Sequence, residues 1–232
     1  MAQLSPENTD PRYEAYQTLK LAGQHSLVWF EDPLYYFGVP TVLFRLYLLV
    51  ENIPEAADCL VATNRWTEVP VPPNVRSNNA LPDEEIRCLQ PVPESKTQSM
   101  HNIVFLNAKN WNIQLPCNDY PLFPSPPMIV DSLLERILDA PPTQSFFRMR
   151  LSTMIGYIYG HVPITQKPSF AQELCAEHQQ YHMDILAGVN VEARWVGEHE
   201  RMIRDAIRAG TYTVKHCSVD RNDRRFFDDG VQ

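Results

Sequence analysis

The chain has 232 residues and a mass of 26.8 kDa, with 44% hydrophobic and 21% charged residues, which suits one large domain or two small ones and excludes disorder throughout. It carries 20 prolines against 8 glycines and a formal net charge of −8. An acidic surface repels phosphate backbones, so a broad nucleic-acid footprint is not expected.

The opening stretch, MAQLSPENTDPRYEAY, has neither the basic nor the apolar part of a signal segment, and no later run reaches the length of apolar residues needed to span a bilayer. A cytoplasmic protein without a membrane partner is expected. Residues 11–23 space Tyr13, Tyr16, Leu19 and Leu21 at roughly helical intervals and close on Gly23. SLVWF (26–30) reads as a strand, and DPLYYFGVP (32–40) as a short helix with Pro33 in its first turn. VLFRLYLLVE (42–51) alternates, with Phe44, Leu46 and Leu48 on one face and Arg45, Tyr47 and Leu49 on the other, as a strand should. Pro54 then opens a helix carrying Ala57, Leu60 and Val61.

Residues 69–96 hold six prolines and are expected to be extended and irregular, with strands returning at 86–89, at 102–106 and at an edge over 111–115. A second proline-rich passage spans 121–130. Beyond it the periodicity turns helical. Asp131 reads as the N-cap of a helix over 131–140, residues 145–162 read as a buried central helix, and helices follow over 170–188 and 196–210, the last with Met202, Ile203, Ala206 and Ile207 inward. The organisation expected is an α+β fold with a mixed sheet and flanking helices over 1–127, a helical region packed on it over 128–212, and a polar tail over 213–232.

Charge follows a similar division. Residues 1–140 hold 9 Lys and Arg against 17 Asp and Glu, while residues 141–232 hold 11 of each. Arg201, Arg204 and Arg208 fall at three- and four-residue spacing on the last helix, a basic stripe suited to docking against the acidic part, with Arg221, Arg224 and Arg225 beyond it. Five dispersed cysteines without a C-x-x-C pair read as free thiols. No P-loop, G-x-G-x-x-G or G-x-S-x-G motif occurs, and sequence order assembles no Ser-His-Asp set. His178 and His182 lie four apart with Asp184 beyond, a spacing that puts two imidazoles on one helix face. A polar seam between helices explains them better than a metal, and no cofactor is expected.

VWFEDPLYYFGVPTVLFRLYLLVENIPEAADCLVATNRW, the later string ELCAEHQQYHMDILAG and the helix WVGEHERMIRDAIRAG together resemble the nucleotidyltransferase-like fold, and within it a group of filamentous-fungal proteins. The resemblance implies a cleft beside the first two strands. An active member needs a small turn after the first strand to admit the triphosphate, then two carboxylates two residues apart on the next strand and a third on a later one to hold metal ions. This chain has Phe30-Glu31 at the turn, Arg45 and Tyr47 at the paired positions, and Asn102 and Asn107 near the third. A cation where a carboxylate should hold Mg²⁺ opposes metal binding.

The resemblance therefore implies a catalytically degenerate member. The leading expectation is a binding or accessory protein beside a fungal specialised-metabolism pathway, taking an anionic small molecule or a protein partner, with Trp29, Arg45 and Tyr47 as binding residues. The alternatives are a transferase with a rebuilt cleft using Glu31, Asp32 or Glu51 as acid–base groups, and a structural interaction module.

Overall fold

The computed structural model describes residues 10–93, 101–115, 121–189, 196–220 and 222, and divides into two units, 1–125 and 126–232. The first unit is α+β. Strands β1 (Ser26–Trp29), β2 (Leu46–Val50), β3 (Trp66–Val69), β4 (Ile86–Pro91) and β5 (Ile103–Asn107) form one sheet in the order β1-β2-β5-β4-β3. The β2–β5 pair is parallel and the others antiparallel, so the sheet is mixed.

Strands β1 and β2 are buried along their whole length, as expected of apolar runs covered on both faces. Leu46 lies opposite Ile103 and Leu48 opposite Phe105. With Val50 and Val28 they form one core face, shared with Ala15 and Leu19 of α1 (Glu14–Leu21) and with Ala57 and Leu60 of α3 (Ile53–Val61). Helix α3 starts where Asn52 accepts a hydrogen bond from the Glu55 amide and Pro54 supplies a preset backbone angle.

Three segments of this unit depart from the sequence reading. Strand β2 begins at Leu46, whose amide bonds to the Asn102 carbonyl, so ladder pairing with β5 starts there and Phe44 stays outside it, 69% exposed. Residues 111–115 are not a strand. Asn107 caps a 3-10 turn over Ala108–Trp111, and Asn112 takes a left-handed backbone angle that breaks an extended run. Strand β3 is not among the expected strands and ends where the expected irregular stretch begins, and within that stretch lies a helix, α4 (Pro73–Asn79), because Pro73 follows Pro72 at a first helical position, where a missing amide hydrogen costs nothing. Residues 94–96 of that stretch lie outside the described residues.

The second unit is helical, with α5 (Pro126–Asp139), α6 (Ser145–His161), α7 (Gln179–Leu186) and α8 (Val196–Arg208). Helix α5 starts five residues before Asp131, which sits inside it rather than capping it. Helix α6 buries Phe147, Leu151, Ile155 and Ile158 on one side, while Phe146, Met149 and Tyr157 are exposed on the other. The single helix expected over 170–188 is two 3-10 turns followed by α7, and the Cys175 amide leaves the helical ladder to bond the Asp131 carboxylate. On α8, Ile203 is buried and Met202 is exposed. Among the described residues no helix is long and apolar enough to cross a membrane.

Candidate functional site

A cleft of about 610 Å³ opens at the end of the sheet where β1 finishes and β2 and β5 begin. Glu31 reaches it from the start of α2 (Glu31–Tyr36), Phe44 and Arg45 from the approach to β2, Tyr47 from β2 itself, Asn74 and Asn78 from α4, and His101 and Asn102 from the approach to β5. Antiparallel pairing sets Trp29 opposite Tyr47, and parallel pairing sets Leu46 opposite Ile103, so three chain segments deliver side chains to one place. Asn74 and Asn78 are four residues apart, which puts both amides on one face of α4.

The floor is fixed by Arg12, from a 3-10 turn over Pro11–Tyr13. Its guanidinium makes a bidentate pair with Asp32, Nε to Oδ1 at 2.5 Å and Nη2 to Oδ2 at 2.9 Å, and Nη2 also donates to the Arg45 carbonyl at 2.8 Å. Asp32 is fully buried in this pair. Burial opposes the Arg12 charge, yet the hydrogen bond and charge of Asp32 raise its pKa further. At the cleft rim, burial first and the Arg12 charge second lower the His101 pKa, so its imidazole is neutral at neutral pH. Arg45 Nη2 lies 3.4 Å from Asn74 Oδ1, a long contact on an exposed pair.

Of the residues singled out from the sequence, Glu31, Arg45 and Tyr47 line the cleft together. Trp29 does not. It is 1% exposed, with its ring against Trp111 at 5.6 Å and Phe30 at 5.8 Å, so it supports the cleft from within the core. Asp32 is spent on Arg12. Glu51 follows β2 at its far end, about 20 Å from Arg45 at strand rise. It lines a different pocket of about 750 Å³, drawn otherwise from the single stretch 107–115. Arg12 itself was missed, as were Asn74, Asn78 and His101.

Phe30 closes the back of the site. Its ring is 4.9 Å from Tyr47 and 5.0 Å from Trp111, both edge-on. Its backbone sits at φ 62, ψ −114, a combination that glycine adopts freely and a bulky residue resists.

In the helical unit the expected histidine pair is divided between two environments. His182 is fully buried, 3.0 Å from the Tyr159 hydroxyl through Nδ1 and 3.0 Å from the Lys167 carbonyl through Nε2. Burial lowers its pKa, so a neutral ring donates from Nε2 and accepts at Nδ1. His178 lies between Asp131 and Glu135, at 2.7 and 2.9 Å. Burial disfavours its charge, but the two carboxylates raise its pKa, and with an acceptor on each nitrogen the ring is an imidazolium. Against the penalty of its own burial, the His178 and Arg208 hydrogen bonds hold Glu135 at about 2. Asp184 takes no part in either set. It accepts from the Ser218 amide at 2.7 Å, the Ser218 hydroxyl at 2.6 Å and Gln180 at 2.9 Å.

Ser218 Oγ also lies 2.7 Å from His199 Nε2. The serine donates to Asp184 and accepts from the histidine, the reverse of an activated nucleophile, in which histidine takes the serine proton. The basic stripe is paired within its own unit: Arg204 meets Glu135, Asp139 and Asp205, Arg208 meets Glu135 and Glu177, and Arg201 donates to the Leu138 carbonyl. Arg221, Arg224 and Arg225 lie outside the described residues. No family model matches the chain, and no curated protein or solved structure shows significant similarity to it.

Proposed function

We propose that the protein is a binding or accessory protein that holds an anionic small molecule in the cleft at the start of β2, on a nucleotidyltransferase-like scaffold that has lost metal-dependent nucleotidyl transfer. The observation that carries this reading is the convergence of Arg45, Tyr47, Asn74, Asn78, His101 and Asn102 on one concave surface. A guanidinium recognises a carboxylate or phosphate through paired hydrogen bonds, and carboxamides and a phenol fix the rest of a polar molecule. The turn at Phe30 supports the scaffold part. Phe30, between β1 and α2, has a positive φ of 62 that suits glycine, and it carries a ring packed against Tyr47 where the resemblance calls for a small turn residue. An accessory role in fungal specialised metabolism belongs to this reading.

A second reading, a transferase acting on the same anionic molecule, is favoured by Glu31 and a neutral His101 in one cleft, two groups able to take up a proton within a single site. Native mass spectrometry on the gently purified full chain tests binding directly. A retained small anion that Arg45→Ala no longer retains supports the proposal. A chain that retains nothing and is not stabilised by any member of a panel of carboxylates, sugar phosphates and nucleotides contradicts it. Turnover of the retained molecule that is lost in both Glu31→Gln and His101→Ala selects the enzyme reading.

A further inference from the structure

Outside the cleft, one cluster in the helical unit has the make-up of a metal centre. Cys175 and His178 are separated by two residues just before α7, and Asp131 comes from the middle of α5. One ligand atom from each of the three lies within 4.8 Å of the others. Asp131 is already turned toward both, 2.7 Å from His178 Nδ1 and 3.0 Å from the Cys175 amide. The second imidazole nitrogen, Nε2, is 2.9 Å from Glu135 Oε2. Glu135 is itself held through its other oxygen by Arg204 at 3.1 Å and Arg208 at 2.9 Å. A histidine that binds metal through one nitrogen almost always gives the other N–H to a carboxylate, which fixes the ring and raises its basicity. His178 has that partner, and the partner is anchored.

We propose that Asp131, Cys175 and His178 bind Zn²⁺ through a carboxylate oxygen, Sγ and Nδ1, with Glu135 orienting His178 and water as the fourth ligand. A thiolate, an imidazole and a carboxylate suit a borderline-soft tetrahedral ion better than Mg²⁺ or Ca²⁺, which take oxygen sets. Bond lengths of about 2.0–2.3 Å place tetrahedral ligand atoms roughly 3–4 Å apart. The His178–Asp131 contact therefore opens slightly as the Cys175 sulfur closes in. Cys175 is exposed, which gives the ion a path in and solvent access to the fourth position.

Charge also balances. With both ring nitrogens facing carboxylates, His178 holds a proton on each, and the Cys175 sulfur carries a thiol proton. One Zn²⁺ displaces these two protons to solvent and leaves the net charge of the cluster unchanged. The same residues that form a proton-filled ion network thus accept a divalent ion without a new uncompensated charge.

The test uses the full reduced chain, stripped with a chelator and titrated with Co²⁺ and then Zn²⁺. The proposal expects a thiolate-to-cobalt charge-transfer band, its displacement by Zn²⁺, and one Zn²⁺ per chain by native mass spectrometry. Cys175→Ser, at an exposed position that folding tolerates, abolishes the band and the stoichiometric ion, whereas Cys217→Ser keeps both. Glu135→Gln keeps the band but weakens Zn²⁺ binding by about 10- to 100-fold. The absence of a band and of saturable binding at micromolar metal in the wild-type chain overturns the proposal, as does a band that survives Cys175→Ser. Unchanged affinity in Glu135→Gln removes Glu135 from it.

Discussion

Phe30 is a large ring on a backbone that suits glycine, and the two facts pull against each other. Truncating the ring removes packing against Tyr47 and Trp111, a loss of about 3–5 kcal/mol. Glycine at the same position also relieves the left-handed strain, worth roughly 1–3 kcal/mol, which alanine retains. Chemical denaturation should therefore rank Phe30→Gly above Phe30→Ala in stability, the opposite of the usual order. The Arg12–Asp32 pair makes a similar residue-scale prediction. Asp32→Ala leaves a buried guanidinium uncompensated and should cost about 3–5 kcal/mol, while replacing both residues by apolar ones of similar volume recovers most of it. Equal losses in the single and double variants would refute the pairing. Asp32 stood in the sequence as an acid–base candidate because nothing local links Pro11–Tyr13 to a residue 20 positions later. Arg45 and Tyr47 were legible because strand alternation alone assigns them to one face.

At the scale of elements, the strands were readable where apolar alternation meets a partner and unreadable where only pairing decides. The run from residue 42 alternates as well as the run from 46, but ladder pairing with β5 begins at Leu46. Proline misled in α4, since the same residue that breaks a helix interior starts one at its first position. That error hid Asn74 and Asn78, two of the three asparagines that line the cleft. The segment after α8 reads as a fraying polar tail, yet its described part is tied down. Gln180 Oε1 accepts from the Lys215 amide at 2.6 Å and the Tyr212 hydroxyl at 3.2 Å, and Asp184 holds Ser218. The anchors are buried polar side chains on α7, and two of the partners are backbone amides, which sequence does not advertise. Asp184→Ala should cost about 1–3 kcal/mol and accelerate hydrogen exchange of the Ser218 amide, while leaving the β2 amides protected. Unchanged exchange at Ser218 would show that the tie is not made in solution.

Over the whole molecule, the acidic imbalance belongs to both units rather than to one. Divided at the boundary between units, residues 1–125 hold 8 Lys and Arg against 14 Asp and Glu, and residues 126–232 hold 12 against 14. Asp131, Glu135 and Asp139 fall in the acidic half by count but in the helical unit by fold, where Glu135 and Asp139 meet the arginine stripe. The stripe is structural cement inside one unit.

Glu200 gives the second unit a pH dependence. Burial, and then the charge of Asp184, raise its pKa to about 8, with His178 opposing. His199 and Asp184 lie beside it, and Tyr212 feels its charge. Because the folded state keeps a proton that the unfolded chain releases, Glu200 lowers stability progressively as pH rises from about 4.5 to about 8. Glu200→Gln should match the wild type near pH 4.5 and exceed it by roughly 3 kcal/mol at pH 7, at about 1.4 kcal/mol per pH unit, as read by urea midpoints across that range. A constant difference at all pH values would refute a buried neutral Glu200.

The cleft remains the centre of the account, and titration calorimetry tests it most directly. The small anion retained by the native chain is titrated into wild-type protein and Arg45→Ala, with and without Mg²⁺. Loss of a charged hydrogen-bonding group predicts binding about 10- to 100-fold weaker in the variant, with no dependence on Mg²⁺ in either protein. Binding that Arg45→Ala leaves intact, or that the wild type shows only with Mg²⁺, would contradict an anion site built around Arg45.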